Sequence, residues 1–294
     1  MKTRILIREG QYQLNKAGCP DPKVDAEALY CFLTGRDRVQ IFLEAEKEVD
    51  PETERKYMKL IDRRASRIPL QHITGEQEFM GYKFIVSPDV LIPRQDTETL
   101  VEEGAKTIRT TKKERKSFFE RMKGRKDWEI LDLCCGSGNI GISMARICDN
   151  VELTATDISE AALALARRNA KANRVDGRFL QGDLFEPLQG QQFDMILSNP
   201  PYVKTNMIAM LQDEVKDHEP LEALDGGRDG LDVYRRIVRE APKHLRKGGF
   251  LLLEIGHDQG EALRKMLKEA LVFENIEIIR DLPGKERVVR CRFK

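Results

Sequence analysis

Apolar residues recur on two different periods along the chain, and the change from one to the other divides it. Over residues 1–72 they follow a helix, with Val24, Ala28, Cys31 and Phe32 as one set and Tyr57, Leu60, Ile61, Ala65 and Ile68 as another. Both sets keep the i, i+3, i+4, i+7, i+8 spacing of a helix face, and Pro51 stands where a first helical turn accommodates it. A small helical bundle is expected there. From Gly75 to Pro93 the segment GEQEFMGYKFIVSPDVLIP carries aromatic and β-branched residues on either side of Gly81. That pattern predicts a β-hairpin, and residues 73–95 then link two domains.

A long polar helix is expected from about Asp96, and beyond it strand and helix alternate. The runs EILDLC (129–134), VELTAT (151–156), FDMILS (193–198) and FLLLEI (250–255) are short and largely apolar, as strands buried on both faces should be. ISEAALALARRNAKAN (158–173) and LDVYRRIVREAPKHL (231–245) read as helical connections. Such alternation makes residues 96–294 an α/β domain with a doubly wound, mostly parallel sheet whose ligands bind at the carboxyl ends of its strands. RVVRCRF, near the end, follows no long helix, and we expect it to be an antiparallel edge strand.

Composition narrows the classes. The 294 residues are 40% hydrophobic and 34% charged, enough to bury a core in each of two domains. Fifty Lys plus Arg against 49 Asp plus Glu leave +1, which removes the argument for a protein held by phosphates alone. Apolar runs such as Phe250–Leu253 end far short of the roughly 20 residues a membrane span needs, and MKTRILIREG has too few consecutive apolar residues for a secretory signal. Six cysteines form no CxxC pair and no disulfide framework, which points to reduced thiols in a cytoplasm. Four histidines at 72, 218, 244 and 257 make no HxxxH or HExxH pair, so no metal site is expected.

Two constellations carry chemistry. The first is Asp132 with Leu133, Cys134, Cys135, Gly136, Ser137 and Gly138, where a strand gives way to a helix. Glycines there let a backbone approach a ligand, which suits a nucleotide, a methyl donor, or only a tight turn. Asp157, at the end of the next strand, is placed either to accept two ribose hydroxyls or to cap the following helix. Asp183, in QGDLFEPL, is placed near an adenine edge or is a loop acid. The second constellation is sharper: Asn199, Pro200, Pro201 and Tyr202 follow directly after FDMILS. Two prolines remove two backbone donors and fix two φ angles, so the loop presents acceptors stiffly. The Asn199 side-chain oxygen and the Pro200 carbonyl can accept both hydrogens of a planar NH2 group, with Tyr202 as a stacking face. Such a pocket reads a primary amide or an aromatic amine; the plainer alternative is a turn that ends a strand.

These residues, with DAEALY (25–30), PLQHITGEQEFMGYKF (69–84), VLIPRQDTETLVE (90–102), LDLCCGSGNIGI (131–142), LSNPPYV (197–203), EPLEALDGGRDGLDVYRRI (219–237) and LLLEIGHDQG (251–260), resemble bacterial protein-(glutamine-N5) methyltransferases that modify peptide chain release factors, the PrmC or HemK family. The resemblance spans nearly the whole chain. It implies a class I S-adenosylmethionine-dependent methyltransferase fold, preceded by a helical domain that docks the substrate. The acceptor it implies is the Gln of the Gly-Gly-Gln motif in class-1 release factors, modified by a cytoplasmic monomer that binds no membrane and holds no DNA stably. It further implies that Cys134, Cys135, Gly136, Ser137, Gly138, Asp157, Asp183, Leu184 and Asn199 hold S-adenosylmethionine. Asn199, Pro200, Pro201 and Tyr202 bind the substrate amide, with Asn199, Pro200 and Tyr202 catalytic.

Three departures stand out. Cys134 occupies a position that is commonly Gly, which requires a backbone there without positive φ. Gln95 replaces a proline in PRQDTE, although acids remain at Asp96 and Glu98. The connector from Lys106 to Asp127 is longer than usual and carries a net +7, leaving −6 for the rest of the chain. Either that connector is simply solvated or it steers association with an acidic surface. Two other functions remain open at this point. An N6-adenine DNA methyltransferase would use the same pocket on a flipped base, although residues 1–85 carry 15 Lys plus Arg against 14 Asp plus Glu and so offer no phosphate grip. A non-catalytic protein that binds release factors or the ribosome would keep the fold alone.

Overall fold

The computed structural model describes residues 1–111 and 126–294, so most of the basic connector lies outside the described residues. The chain divides into two compact units: Met1–Glu76 together with Gln212–His218, and Gln77–Leu211 together with Glu219–Lys294.

The first unit holds α1 (Thr3–Lys16), α2 (Pro22–Thr34), α3 (Arg38–Leu43), α4 (Pro51–Ala65) and α5 (Leu70–Thr74). Local chemistry sets their ends. Asp50 accepts the N–H groups of Glu52 and Thr53 with Pro51 at the first helical position, Asp37 and Gln40 form a reciprocal capping box, and Gly35 closes α2 in the left-handed conformation. Leu6, Leu14, Leu29, Tyr30, Tyr57 and Ile61 are the buried centre. The expected face of α2 is corrected: Val24 and Phe32 are exposed, and the helix buries Asp25, Ala26, Leu29 and Tyr30 instead. The hydrophobic pattern misled because a charge is part of that interior. Arg64, 4% exposed, places Nε 2.7 Å from Asp25 and a terminal nitrogen 2.9 Å from Glu214, and Arg67 reaches the other Glu214 oxygen at 2.5 Å. The pair ties the short helix Asp213–Lys216 into this unit.

The second unit opens on the hairpin β1 (Glu76–Phe79) and β2 (Tyr82–Ile85), turned by Met80 and Gly81, both at positive φ as a two-residue hairpin turn requires. After a 3-10 turn at Gln95–Thr97 and α6 (Glu98–Thr110) comes the sheet: β3 (Trp128–Leu133), β4 (Val151–Asp157), β5 (Gly177–Gln181), β6 (Phe193–Ser198), β7 (Leu245–Glu254), β8 (Phe273–Arg280) and β9 (Glu286–Phe293). Their spatial order is β5-β4-β3-β6-β7-β9-β8, parallel from β5 to β7 and antiparallel at β9 and β8. This is the class I methyltransferase arrangement with its antiparallel edge. RVVRCRF itself is one strand in from that edge, between β7 and β8. The true edge, FENIEIIR, escaped the pattern because its outward positions, Glu274 and Glu277 among them, keep contact with water.

Alternate side chains feed two cores. Ile130, Met195, Leu197 and Leu252 pack with α6 and the helices Asn139–Ile147 and Glu160–Ala172, while Leu131, Leu133, Ile196, Leu251 and Leu253 pack with the helices Asp232–His244 and Gly260–Glu269. Covering both faces leaves only the strand ends free to hold a ligand.

Candidate active site

Register decides what meets at those ends. Leu133 is level with Thr156 on one side and with Ser198 on the other, so the next residues of three parallel strands, Cys134, Asp157 and Asn199, emerge together. They line one cavity of about 630 Å³, within the size range of small-molecule sites. Cys135, Gly136, Ser137, Asp183, Leu184 and Pro201 share its wall. Gly138, Pro200 and Tyr202 do not belong to the lining.

The glycine-rich turn owes its shape to backbone that other residues adopt poorly. Gly136 and Gly138 have φ of 52° and 78°. A Cβ on Gly138 would come 2.8 Å from Ile142, whereas one on Gly136 would meet no atom within 4 Å, so Gly136 presents bare backbone to the cavity. Asp132, wholly buried, accepts the Gly141 N–H at 2.8 Å, and burial pushes its carboxyl up to about 7. Asn169 donates to the Ser137 carbonyl at 2.9 Å and exchanges two hydrogen bonds with Ile85, joining turn and hairpin. The expectation for Cys134 is overturned: its φ is 59°, in the left-handed region. The position needs the conformation that glycine adopts freely, and a cysteine there costs about 1–2 kcal/mol of strain. Burial also pushes its thiol up to about 12, which keeps it protonated and weakly nucleophilic at neutral pH.

Asp157 accepts the Gly136 N–H at 2.8 Å and the Ser159 N–H at 3.0 Å, and Ser159 rather than Asp157 caps the helix that follows. A carboxylate has about four lone-pair sites, so Asp157 keeps capacity for a diol. Burial raises its pKa against those two bonds. Asp183 pairs with Arg236 at 2.8 Å through one oxygen. Cavity acids Asp89, Asp157, Asp183, Glu222 and Asp225 face two arginines, Arg94 and Arg236, that already hold carboxylate partners. The wall therefore favours a ligand that is cationic and rich in hydroxyls, a description that fits S-adenosylmethionine.

The NPPY loop is held from behind. Gly226 donates to the Val203 carbonyl at 2.8 Å and Val203 to the Leu224 carbonyl at 2.9 Å, so the ALDGGRDGL stretch lies directly on the loop. A Cβ on Gly226 would stand 2.7 Å from Tyr202 Cα, and one on Gly230 2.5 Å from the Tyr202 carbonyl oxygen. Side chains have no room there, which explains the glycines. Gln259 donates to the carbonyls of Tyr202 and Gly230, both at 3.1 Å. Tyr202 is partly buried against the core and its hydroxyl lies 3.5 Å from Glu254, so it helps to support the loop. Asn199 directs Nδ2 toward the Thr97 hydroxyl at 3.4 Å. Glu254, 1% exposed, has its carboxyl pushed up to about 7 by burial, opposed by the Thr97 hydroxyl, the Arg287 charge and the Tyr202 hydroxyl.

Sequence reasoning missed Thr97, Arg94, Glu219, Glu254 and Gln259. Glu219 accepts from the Ile92 N–H at 3.1 Å and from Arg94 at 2.5 Å, binding one cavity wall to another. All five lie inside segments quoted for the resemblance, but nothing in their spacing revealed mutual contact.

Comparison with known proteins agrees with this geometry. Residues 6–75 match the PrmC N-terminal domain family and residues 113–215 the Methyltransferase small domain family. The chain is 38% identical over 289 residues to the release factor glutamine methyltransferase of Moorella thermoacetica, covering 98% of this chain and 97% of that one. It is 38% identical over 279 residues to the protein of the same name from Geobacter sulfurreducens, covering 95% and 92%. Among solved structures, the catalytic domain of hMettl16 in complex with the MAT2A 3′UTR hairpin 6 superposes with a TM-score of 0.54 at 14% identity, covering 80% of this chain and 81% of that one. The last likeness is one of fold.

Proposed function

Because the chain belongs to the family of release factor glutamine methyltransferases, we propose that the cavity holds donor and acceptor together and that Asn199 orients the acceptor amide. The protein is an enzyme, an S-adenosylmethionine-dependent methyltransferase that methylates a release factor glutamine. The acceptor we assign is the side-chain nitrogen of the Gln in the Gly-Gly-Gln motif of class-1 release factors, and the enzyme acts as a cytoplasmic monomer. No helix among the described residues is long and apolar enough to cross a membrane. The readings as a DNA adenine methyltransferase or as a non-catalytic binder are set aside by the family.

When bound, the donor supplies an electrophilic methyl on a sulfonium. Backbone at Cys134–Gly138 is assigned to its methionine end, Asp157 to the ribose hydroxyls, and Asp183 with Leu184 to the adenine. An amide nitrogen is a poor nucleophile because its lone pair is delocalised, and Asn199 is not basic enough to deprotonate it. The work left to the chain is placement. Asn199 Oδ1 and the Pro200 carbonyl accept the two amide hydrogens, and Pro201 closes the wall beside them. Such orientation supplies roughly 7–11 kcal/mol of a bimolecular barrier. We assign the helical unit to docking the release factor outside the cavity.

The observation that carries this reading is the shared wall: Gly136, Asp157 and Asn199 line one cavity. Steady-state kinetics and donor titration of Asn199→Ala test it. Turnover should fall far more than donor affinity, and an equal loss of both would refute the role of Asn199.

A further inference from the structure

An amide side chain fits its pocket in two orientations of nearly equal shape but opposite chemistry. If Asn199 is to accept a hydrogen from the substrate NH2 group, its Oδ1 must face that group. The reversed orientation would set one NH2 against another. Something must therefore hold the Nδ2 end, and the only hydrogen bond made by the Asn199 side chain among the described residues is to Thr97 Oγ1, at 3.4 Å.

Thr97 is itself fixed. It is 2% exposed, its N–H closes a turn on the Arg94 carbonyl at 3.1 Å, and its neighbour Asp96 pairs with Arg287 of β9 at 2.8 Å. The Thr97 hydroxyl helps to offset the burial of the Glu254 carboxyl, whose Oε2 has no hydrogen-bond partner among the described residues. A hydroxyl can give one hydrogen and accept two, and toward Asn199 the Thr97 oxygen stands as the acceptor.

We propose that Thr97 is a positioning residue for methyl transfer: by accepting from Asn199 Nδ2 it selects the amide orientation whose Oδ1 receives the substrate amide. This rests on the role given to Asn199 above. Substrate binding through the rest of the protein surface is untouched, so the effect belongs in kcat rather than in KM or in donor affinity.

The test is a double-mutant cycle in the full chain with intact release factor. Thr97→Val keeps the shape and removes the acceptor, and should lower kcat about ten-fold, the value of one ordinary hydrogen bond. KM and the donor Kd should stay within about two-fold by the same argument, and Thr97→Ser should restore most of the turnover. In an Asn199→Ala background, Thr97→Val should add no further loss to the residual rate. A merely structural threonine would give the same fractional loss in both backgrounds, and that result overturns the proposal. So does full turnover in Thr97→Val when Asn199→Ala is crippled. Full turnover in Asn199→Ala would instead bring down the reading of the site itself. If Thr97→Val does not fold, Thr97→Ala compared with Thr97→Ser carries the same comparison.

Discussion

Gly226→Ala probes how rigidly the loop that carries Asn199 is backed. The added Cβ would sit 2.7 Å from Tyr202 Cα and 2.9 Å from both the Pro201 oxygen and the Tyr202 carbonyl carbon, roughly 0.7 Å inside the ordinary 3.4 Å limit at the closest point. All three atoms are backbone, so no flexible tip can swing away. The two segments are also joined through Val203, which ties Gly226 and Leu224 at 2.8 and 2.9 Å, so relief requires the loop to move as a body. Overpacking of this kind costs about 1–3 kcal/mol of stability. A shift approaching 1 Å at a reacting group costs up to about 100-fold in rate, so kcat should fall about 10- to 100-fold. Donor affinity should stay within about two-fold, because Gly136 lies in the turn after β3 and Asp157 ends β4. Gly190→Ala is the control: it places a side chain at φ 73° with no atom within 4 Å, so it loses stability through strain without touching the loop. Equilibrium unfolding, steady-state kinetics and donor calorimetry on both variants complete the comparison. Wild-type kcat in Gly226→Ala, or a parallel loss of donor affinity, would refute the reasoning.

Three further outcomes follow from the geometry. Cys134→Gly should be about 1 kcal/mol more stable than Cys134→Ala in denaturant unfolding, because both lose the thiol but only glycine relieves the positive φ; equal stability would mean the strain is absent. Asp132 is raised from 3.8 to about 7 in the folded protein, so its contribution to stability is fully present below pH 4 and is lost as pH rises through 7, on the order of 4 kcal/mol in all. Asp132→Asn should flatten that part of the stability profile between about pH 4 and 7, and parallel profiles would contradict the assignment. Phe42 and Leu43 of α3 are 79% and 77% exposed. Replacing both by Ser should raise KM for intact release factor while leaving a peptide of the Gly-Gly-Gln loop unaffected, and equal effects on both substrates would remove docking from that helix.

Much of this was legible in the chain because buried parallel strands are nearly continuous apolar runs, and FDMILS, followed by two prolines, marks both a strand and its functional end. The hairpin was legible at Gly81 for the same local reason. What escaped depends on partners distant in sequence. Asp25 reads as a solvent-facing acid until Arg64 and Glu214 are seen beside it, and so the wrong face of α2 was expected inside. Tyr202 meets Glu254 and the core, and nothing in its motif announces either contact. Cys134 reads as a residue that forbids positive φ, yet Gly136 and Gly138 continue a turn that forces it. Thr97 and Asn199 are 102 residues apart, and no periodicity connects them.

The central claim is that one cavity presents a glutamine amide to a methyl donor. Incubating the enzyme with labelled S-adenosylmethionine, a class-1 release factor and duplex DNA, then locating the label by peptide mass spectrometry, tests it most directly. One added methyl is expected on the Gln side chain of the Gly-Gly-Gln motif, and it should be lost in Asn199→Ala. Label on DNA, or on another residue of the release factor, would contradict it.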